Sequence, residues 1–195
     1  VEKWEEVNDD NDPFHYNWDY YNRLYKTEKF EKAWSMLLYL NQRGITNQLM
    51  INFMGAVPQW MGGELIKPEY EDEYIEMLVS FFQYARNERH IKFGLVSLMN
   101  EPDIRKEGPT VGPEQYVRLQ HKLITRMQAV GLGDVQYVAP DVAGMQNGVE
   151  KYIPILFKDT LVMSNIAHLG LHSYSGYVGN IDSLLKQSAY PEKDY

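Results

Sequence analysis

The 195-residue chain contains no cysteine. Disulfide scaffolds, thiolate metal sites and cysteine nucleophiles are therefore excluded. It also has no excess of basic charge: 19 Lys and Arg stand against 27 Asp and Glu, a net charge of −8. A phosphate-backbone binder carries a basic stripe, so no nucleic-acid partner is expected. No apolar run is long enough for a membrane span, and no basic-then-apolar leader is seen. Gly-x-Ser-x-Gly is missing, which argues against an α/β-hydrolase esterase. The five His are scattered along the chain and there is no Cys to complete a zinc set, so no metal and no cofactor are expected. There is no internal repeat and no low-complexity segment. What the chain has in quantity is aromatic residues: four Trp, 15 Tyr and seven Phe, or 13%. At this length a single core can bury roughly 70% of the unfolded surface.

Hydrophobic spacing predicts helices from about Thr27 to Arg43, Glu69 to Glu88 and Pro113 to Val130. In the first, Phe30, Ala33, Trp34, Leu37 and Leu38 recur at helical intervals, with Gly44 as the stop. In the second, Tyr74, Met77, Leu78, Phe81, Phe82 and Ala85 form the cleanest stripe. A shorter helix is expected over Val149 to Phe157, weakened by Pro154, and another from near Asn180. Between them lie four apolar runs, Gln48–Met54, Phe93–Met99, Val135–Ala139 and Ile166–Leu171. They alternate only weakly, as strands buried on both faces do. Helix and strand follow one another without hairpin signals, which predicts a parallel α/β sheet with right-handed crossovers.

In such folds chemistry sits beyond the C-terminal ends of the strands. The first run is followed by Val57-Pro58-Gln59-Trp60-Met61, the second by Asn100-Glu101-Pro102-Asp103, the third by Pro140-Asp141 and the fourth by His172-Ser173-Tyr174-Ser175-Gly176-Tyr177. None is a glycine-rich phosphate loop, which disfavours a nucleotide-binding open sheet. Loops contributing from every strand around one mouth fit a (β/α) barrel better. The sharpest of them is Asn100-Glu101-Pro102. A carboxyl there could protonate a glycosidic oxygen while the amide beside it binds a sugar hydroxyl. Taken alone, Glu101 could equally be a helix cap or a solvated loop residue.

Asn-Glu-Pro at this strand end resembles the clan A glycoside hydrolases, retaining enzymes with a (β/α)8 TIM barrel. The resemblance implies that Glu101 is the acid/base and that Asn100 contacts the 2-hydroxyl of the cleaved sugar. His172-Ser173-Tyr174 is similar to the loop that lines the subsite in that clan, and Val57-Pro58-Gln59-Trp60-Met61 to its third-strand loop. The opening Trp4-Glu5-Glu6-Val7-Asn8-Asp9-Asp10-Asn11 looks like its second-strand loop. Trp60, Tyr174 and Tyr177, which follow strands, are expected to offer rings to a carbohydrate substrate; Trp4, Tyr16 and Trp18 are weaker candidates. The clan's nucleophile is a Glu at the end of the seventh strand. On this numbering residues 1–195 are a partial catalytic barrel, from about the second loop to the sixth helix. The seventh and eighth βα units are expected to lie outside the chain, so the segment alone is expected to be inactive. Among carboxylates within it, Asp141, Asp103 and Glu64 sit at loop positions, and Asp141 is expected to cap or to contact a sugar hydroxyl. The run Asn8-Asp9-Asp10-Asn11-Asp12 is a turn-forming loop rather than a calcium site, lacking the Gly and the final Glu of the helix–loop–helix type. A non-catalytic carbohydrate-binding barrel, and an unrelated α/β enzyme with a structural Glu101, remain the alternatives. Because polysaccharide hydrolases are commonly exported, a secreted or periplasmic location is expected. Oligomeric state has no sequence signal.

Overall fold

The computed structural model describes residues 4–8 and 10–195. Four parallel strands, β1 (Met50–Asn52), β2 (Leu95–Ser97), β3 (Gln136–Val142) and β4 (Ile166–Leu171), form one sheet in the order β1-β2-β3-β4. Each strand pairs with the next in sequence, so every crossover steps the same way. A doubly wound sheet would reverse direction at a switch point. Sequential parallel order is that of a barrel wall, and this chain is a segment of an incomplete (β/α)8 barrel. The pairing sets Asn52 opposite Ser97, and Ser97 opposite Val138.

The helices lie close to where hydrophobic spacing puts them. Helix α2 (Glu28–Gln42) buries Phe30, Trp34 and Leu37 and ends before Gly44, whose φ of +78° suits a residue without a Cβ. Helix α3 (Glu71–Asn87) crosses from β1 to β2, and α4 (Pro113–Ala129) from β2 to β3. The acidic first turn of α3 does more than complement the helix dipole. Glu71 is buried there and pairs with Arg118 at 2.9 Å and Lys122 at 3.3 Å, both on α4.

Two elements differ from expectation. Residues 18–25, to which the hydrophobic spacing assigns no element, form helix α1 (Trp18–Tyr25), started by Asn17, whose side chain accepts from the Tyr20 N–H at 3.0 Å. The β3-to-β4 connection is also more broken than one short helix. It runs through α5 (Met145–Asn147), a π turn at Gly148–Tyr152, α6 (Ile153–Leu156) and α7 (Thr160–Asn165). The backbone passes so close to β4 that a Cβ on Gly148 would stand 2.0 Å from Leu171 Cδ2. After α8 (Gly179–Lys186) the chain returns to β4, where Leu169 N–H donates to the Asp194 carbonyl at 2.8 Å in a parallel bridge. The last residues therefore run one step past the helix in which they were expected to lie.

Most of the aromatic residues are packing. Trp34 stacks on Phe81 at 4.9 Å and donates Nε1–H to the Tyr25 carbonyl at 2.8 Å. Tyr25 in turn shares a 2.7 Å hydrogen bond with Ser80 of α3. Trp4, considered for the mouth, packs against Phe53 and Phe81, and Tyr16 stacks on Trp18. This joins α1, α2 and α3 into one aromatic layer behind the sheet. Trp34→Ala empties its centre and is expected to cost about 3–5 kcal/mol. Urea denaturation measures it, and a loss under about 1 kcal/mol would contradict the packing described.

Candidate active site

The ends of β1, β2, β3 and β4 each deliver polar side chains to one point. From β1 comes Asn52; from β2 come Ser97, and, just past it, Asn100 and Glu101; from β3 comes Asp141; from just past β4 comes His172. Ser97, Asn100, Glu101 and Asp141 are all buried, Glu101 with 4% of its surface exposed. Backbone contacts set the positions. Asn100 N–H donates to the Phe53 carbonyl at 2.8 Å, and Glu101 N–H to the Asp141 carbonyl at 3.0 Å.

Glu101 and Asp141 both have positive φ, +45° and +58°. Left-handed backbone at a non-glycine residue costs of order 1–3 kcal/mol and persists where the surroundings over-determine it. Here the two strained residues are tied directly to each other. The turn at each strand end aims its carboxylate at the same imidazole.

That imidazole is His172. Its Nδ1 lies 2.5 Å from Glu101 Oε1 and its Nε2 lies 3.1 Å from Asp141 Oδ1. A carboxylate only accepts, so a ring nitrogen that faces one donates to it, which is the hydrogen bonding that favours the charged imidazolium. Burial works against that charge. The hydrogen bond that Glu101 accepts, together with the field of Asp141 and the hydrogen bond it accepts, outweighs it and holds the His172 pKa above its ordinary value. Asp141 is held in turn, accepting from Ser97 Oγ–H at 2.6 Å and from the Asn52 amide. Asn52 Nδ2–H also reaches Asn100 Oδ1, at 3.5 Å.

The expected site residues divide. Glu101, Asn100, Asp141 and His172 converge. Tyr174 stands edge-on to His172 at 5.6 Å between ring centres and is 74% exposed. Tyr177 is 73% exposed in the same loop. Trp60 donates its Nε1–H to the Glu5 carbonyl at 2.7 Å and meets Tyr70 in a T-shaped contact at 5.2 Å. Those contacts anchor it, half-buried, in the loop after β1. Asp141 is likewise spent on protein donors rather than set out for a sugar hydroxyl. Asp103 accepts from the Ala143 and Gly144 amides and the Asn147 side chain, pinning the loop after β3. Glu64 is exposed. In the acidic run, Asp10 closes a turn onto the Asp12 amide and pairs with His15, while Asp9 lies outside the described residues. Asn52 and Ser97 were not singled out from the sequence; the only signal was a polar residue closing each apolar strand.

No protein-family model matches the chain, and no curated protein matches it. Solved structures do. A glycoside hydrolase family 30 subfamily 8 xylanase from Clostridium acetobutylicum matches 80% of this chain and 40% of its own, with a TM-score of 0.63 and 17% identity. SrfJ from Salmonella typhimurium matches 71% of this chain and 33% of its own, with a TM-score of 0.59 and 17% identity. An endo-β1,6-glucanase matches 66% of this chain and 29% of its own, with a TM-score of 0.55 and 24% identity. The likeness is one of fold, an incomplete (β/α) barrel. The chain spans between 29% and 40% of the length of these three.

The raised His172 pKa makes the ion pairs pH-dependent. Their contribution to stability is fully present below the ordinary histidine value of 6.5 and is lost as pH rises through the higher folded value. Between about pH 6 and about pH 9, denaturation of the native protein should therefore become easier by more than that of His172→Gln, which carries no titrating ring. Parallel pH dependences in urea melts would contradict the assignment.

Proposed function

We propose that this chain is the central part of a glycoside hydrolase barrel that cleaves a β-linked glycoside or polysaccharide with retention of configuration. The observation that carries the reading is Glu101. It is a buried carboxyl at a strand exit, with Asn100 beside it and a hydrogen-bond partner supplied from another strand. Glu101 gives a proton to the departing glycosidic oxygen, then as carboxylate takes one from the attacking water. Asn100 binds the 2-hydroxyl of the cleaved sugar, as the resemblance to clan A implies. Tyr174 and Tyr177, exposed in the loop that carries His172, offer ring faces to the apolar side of a pyranose.

Retention needs a second carboxylate about 5–5.5 Å from the acid. Asp141 does not serve, because Oδ1 is held by His172 and Oδ2 by Ser97 and Asn52. We therefore place the nucleophile outside this chain, at the end of the seventh strand, with the seventh and eighth βα units. The carbohydrate-binding alternative lacks that carboxylate.

Glu101→Gln in the complete barrel keeps the shape and removes the proton. Turnover of glycosides with poor leaving groups should fall by about 10²–10⁴. Steady-state kinetics measure it, and kcat/KM close to the native value would overturn the reading.

A further inference from the structure

We propose that Glu101 and His172 carry the reacting proton as one pair, and that Asp141 is the positioning residue that selects which nitrogen of His172 exchanges it. The proposal rests on the reading of Glu101 as proton donor. It goes beyond that reading because it gives Asp141, which touches no reacting atom, a defined part in the chemistry.

The geometry makes the two ends of the imidazole unequal. The Asp141 end is fixed. That carboxylate is 5% exposed, sits on a strained backbone, and is gripped by Ser97 from β2 and Asn52 from β1. Held by those two donors, Asp141 accepts from Nε2 and keeps that proton in place. Of the two ring protons, the one on Nδ1 is then the one that can move. It faces Glu101, whose carboxyl is the group aimed at substrate in the proposed reaction. This is the logic by which a buried aspartate fixes the tautomer of a catalytic histidine.

The proton balance closes over one cycle. At rest the sequence is carboxylate, imidazolium, carboxylate. The Nδ1–H bond breaks as a Glu101 Oε1–H bond forms, leaving His172 neutral with its proton on Nε2. Glu101 passes the proton to the leaving oxygen as the glycosidic bond breaks. In the second half Glu101 takes a proton from water and returns it to Nδ1. No proton is consumed, and no further reactant is needed beyond the glycoside and water.

The groups that face His172 come from every neighbouring strand end. Glu101 follows β2, Asp141 ends β3, and Tyr174 follows β4 in the loop of His172 itself. Ser97 and Asn52 face Asp141 without charge, and Tyr116 of α4, buried, lies in its field. Asp103 is turned to the amides at Ala143 and Gly144. The charge behind the ring is therefore Asp141.

The test uses the polypeptide that carries the complete barrel, with isotope-labelled histidine. The His172 ring is titrated by NMR, and kcat and KM are measured against pH. Asp141→Asn removes the charge at nearly constant shape. His172 should then titrate about 1–3 pH units lower, the shift an opposite charge at this range produces. The alkaline limb of kcat/KM should move with it, and kcat should fall with little change in KM. Ser97→Ala loosens the grip on Asp141 without removing its charge, so it should move both quantities in the same direction by less. That second variant keeps the proposal testable if Asp141→Asn does not fold. An unmoved His172 titration in these variants, or a limb that does not follow it, overturns the proposal. If that occurs while Glu101→Gln is inactive, the glycosidase reading survives and only the relay fails. Full turnover in Glu101→Gln overturns both.

Discussion

Two buried carboxylates at neighbouring strand ends repel each other unless a cation stands between them. In this chain that cation is His172, whose ring bridges Glu101 and Asp141. The arrangement ties together the exits of three consecutive parallel strands. It also reaches a fourth, because Asn52 at the end of β1 holds the far oxygen of Asp141. The polar floor of the mouth is thus a single hydrogen-bonded unit whose members come from sequence positions more than a hundred residues apart. Within it Asn52 Nδ2–H is bonded, while the buried Asn52 Oδ1 has no hydrogen-bond partner.

The rest of the segment can be understood as what holds those strand ends in register. Helix α3 is buried over most of its length, with the aromatic layer of Tyr25, Trp34 and Phe81 on one side and α4 on another. The Glu71–Arg118–Lys122 contacts lock α3 to α4, which are the crossovers into β2 and β3. On the far side, the close approach of Gly148 to Leu171 sets the connection that leads into β4. Two of the four described non-glycine residues with positive φ lie where chemistry is proposed. Glu101 and Asp141 hold positive φ angles that their shared backbone hydrogen bond keeps in place.

Much of this was legible from the residues. The stripes of α2, α3 and α4 and the four apolar runs are strong periodic signals, and the structure follows them. Helix α1 was hidden because its short, tyrosine-rich sequence shows its buried side, Tyr21 and Tyr25, only once α2 and α3 are packed against it. Glu101, Asn100, Asp141 and His172 could be picked out because each follows a strand. Their mutual contacts could not, since those depend on register. Asn52 and Ser97 were passed over for the same reason: a polar residue closing a strand gains meaning only when the pairing sets the two opposite each other. Trp60 shows how much a strand-end position leaves open. A tryptophan after a strand suggests an open ring, but the Glu5 carbonyl and Tyr70 claim it.

The chemistry proposed asks two things of Glu101, that it hold a proton and that it meet a glycosidic oxygen. The His172 contact bears on the first. The second is a matter of distance, and a crystal structure of the complete barrel with a bound oligosaccharide measures it directly. The account predicts a glycosidic oxygen within about 2.6–3.2 Å of the Glu101 carboxyl, with Asn100 on the adjacent hydroxyl. A sugar bound away from Glu101, with the Glu101–His172–Asp141 unit left closed beneath it, would contradict the central claim.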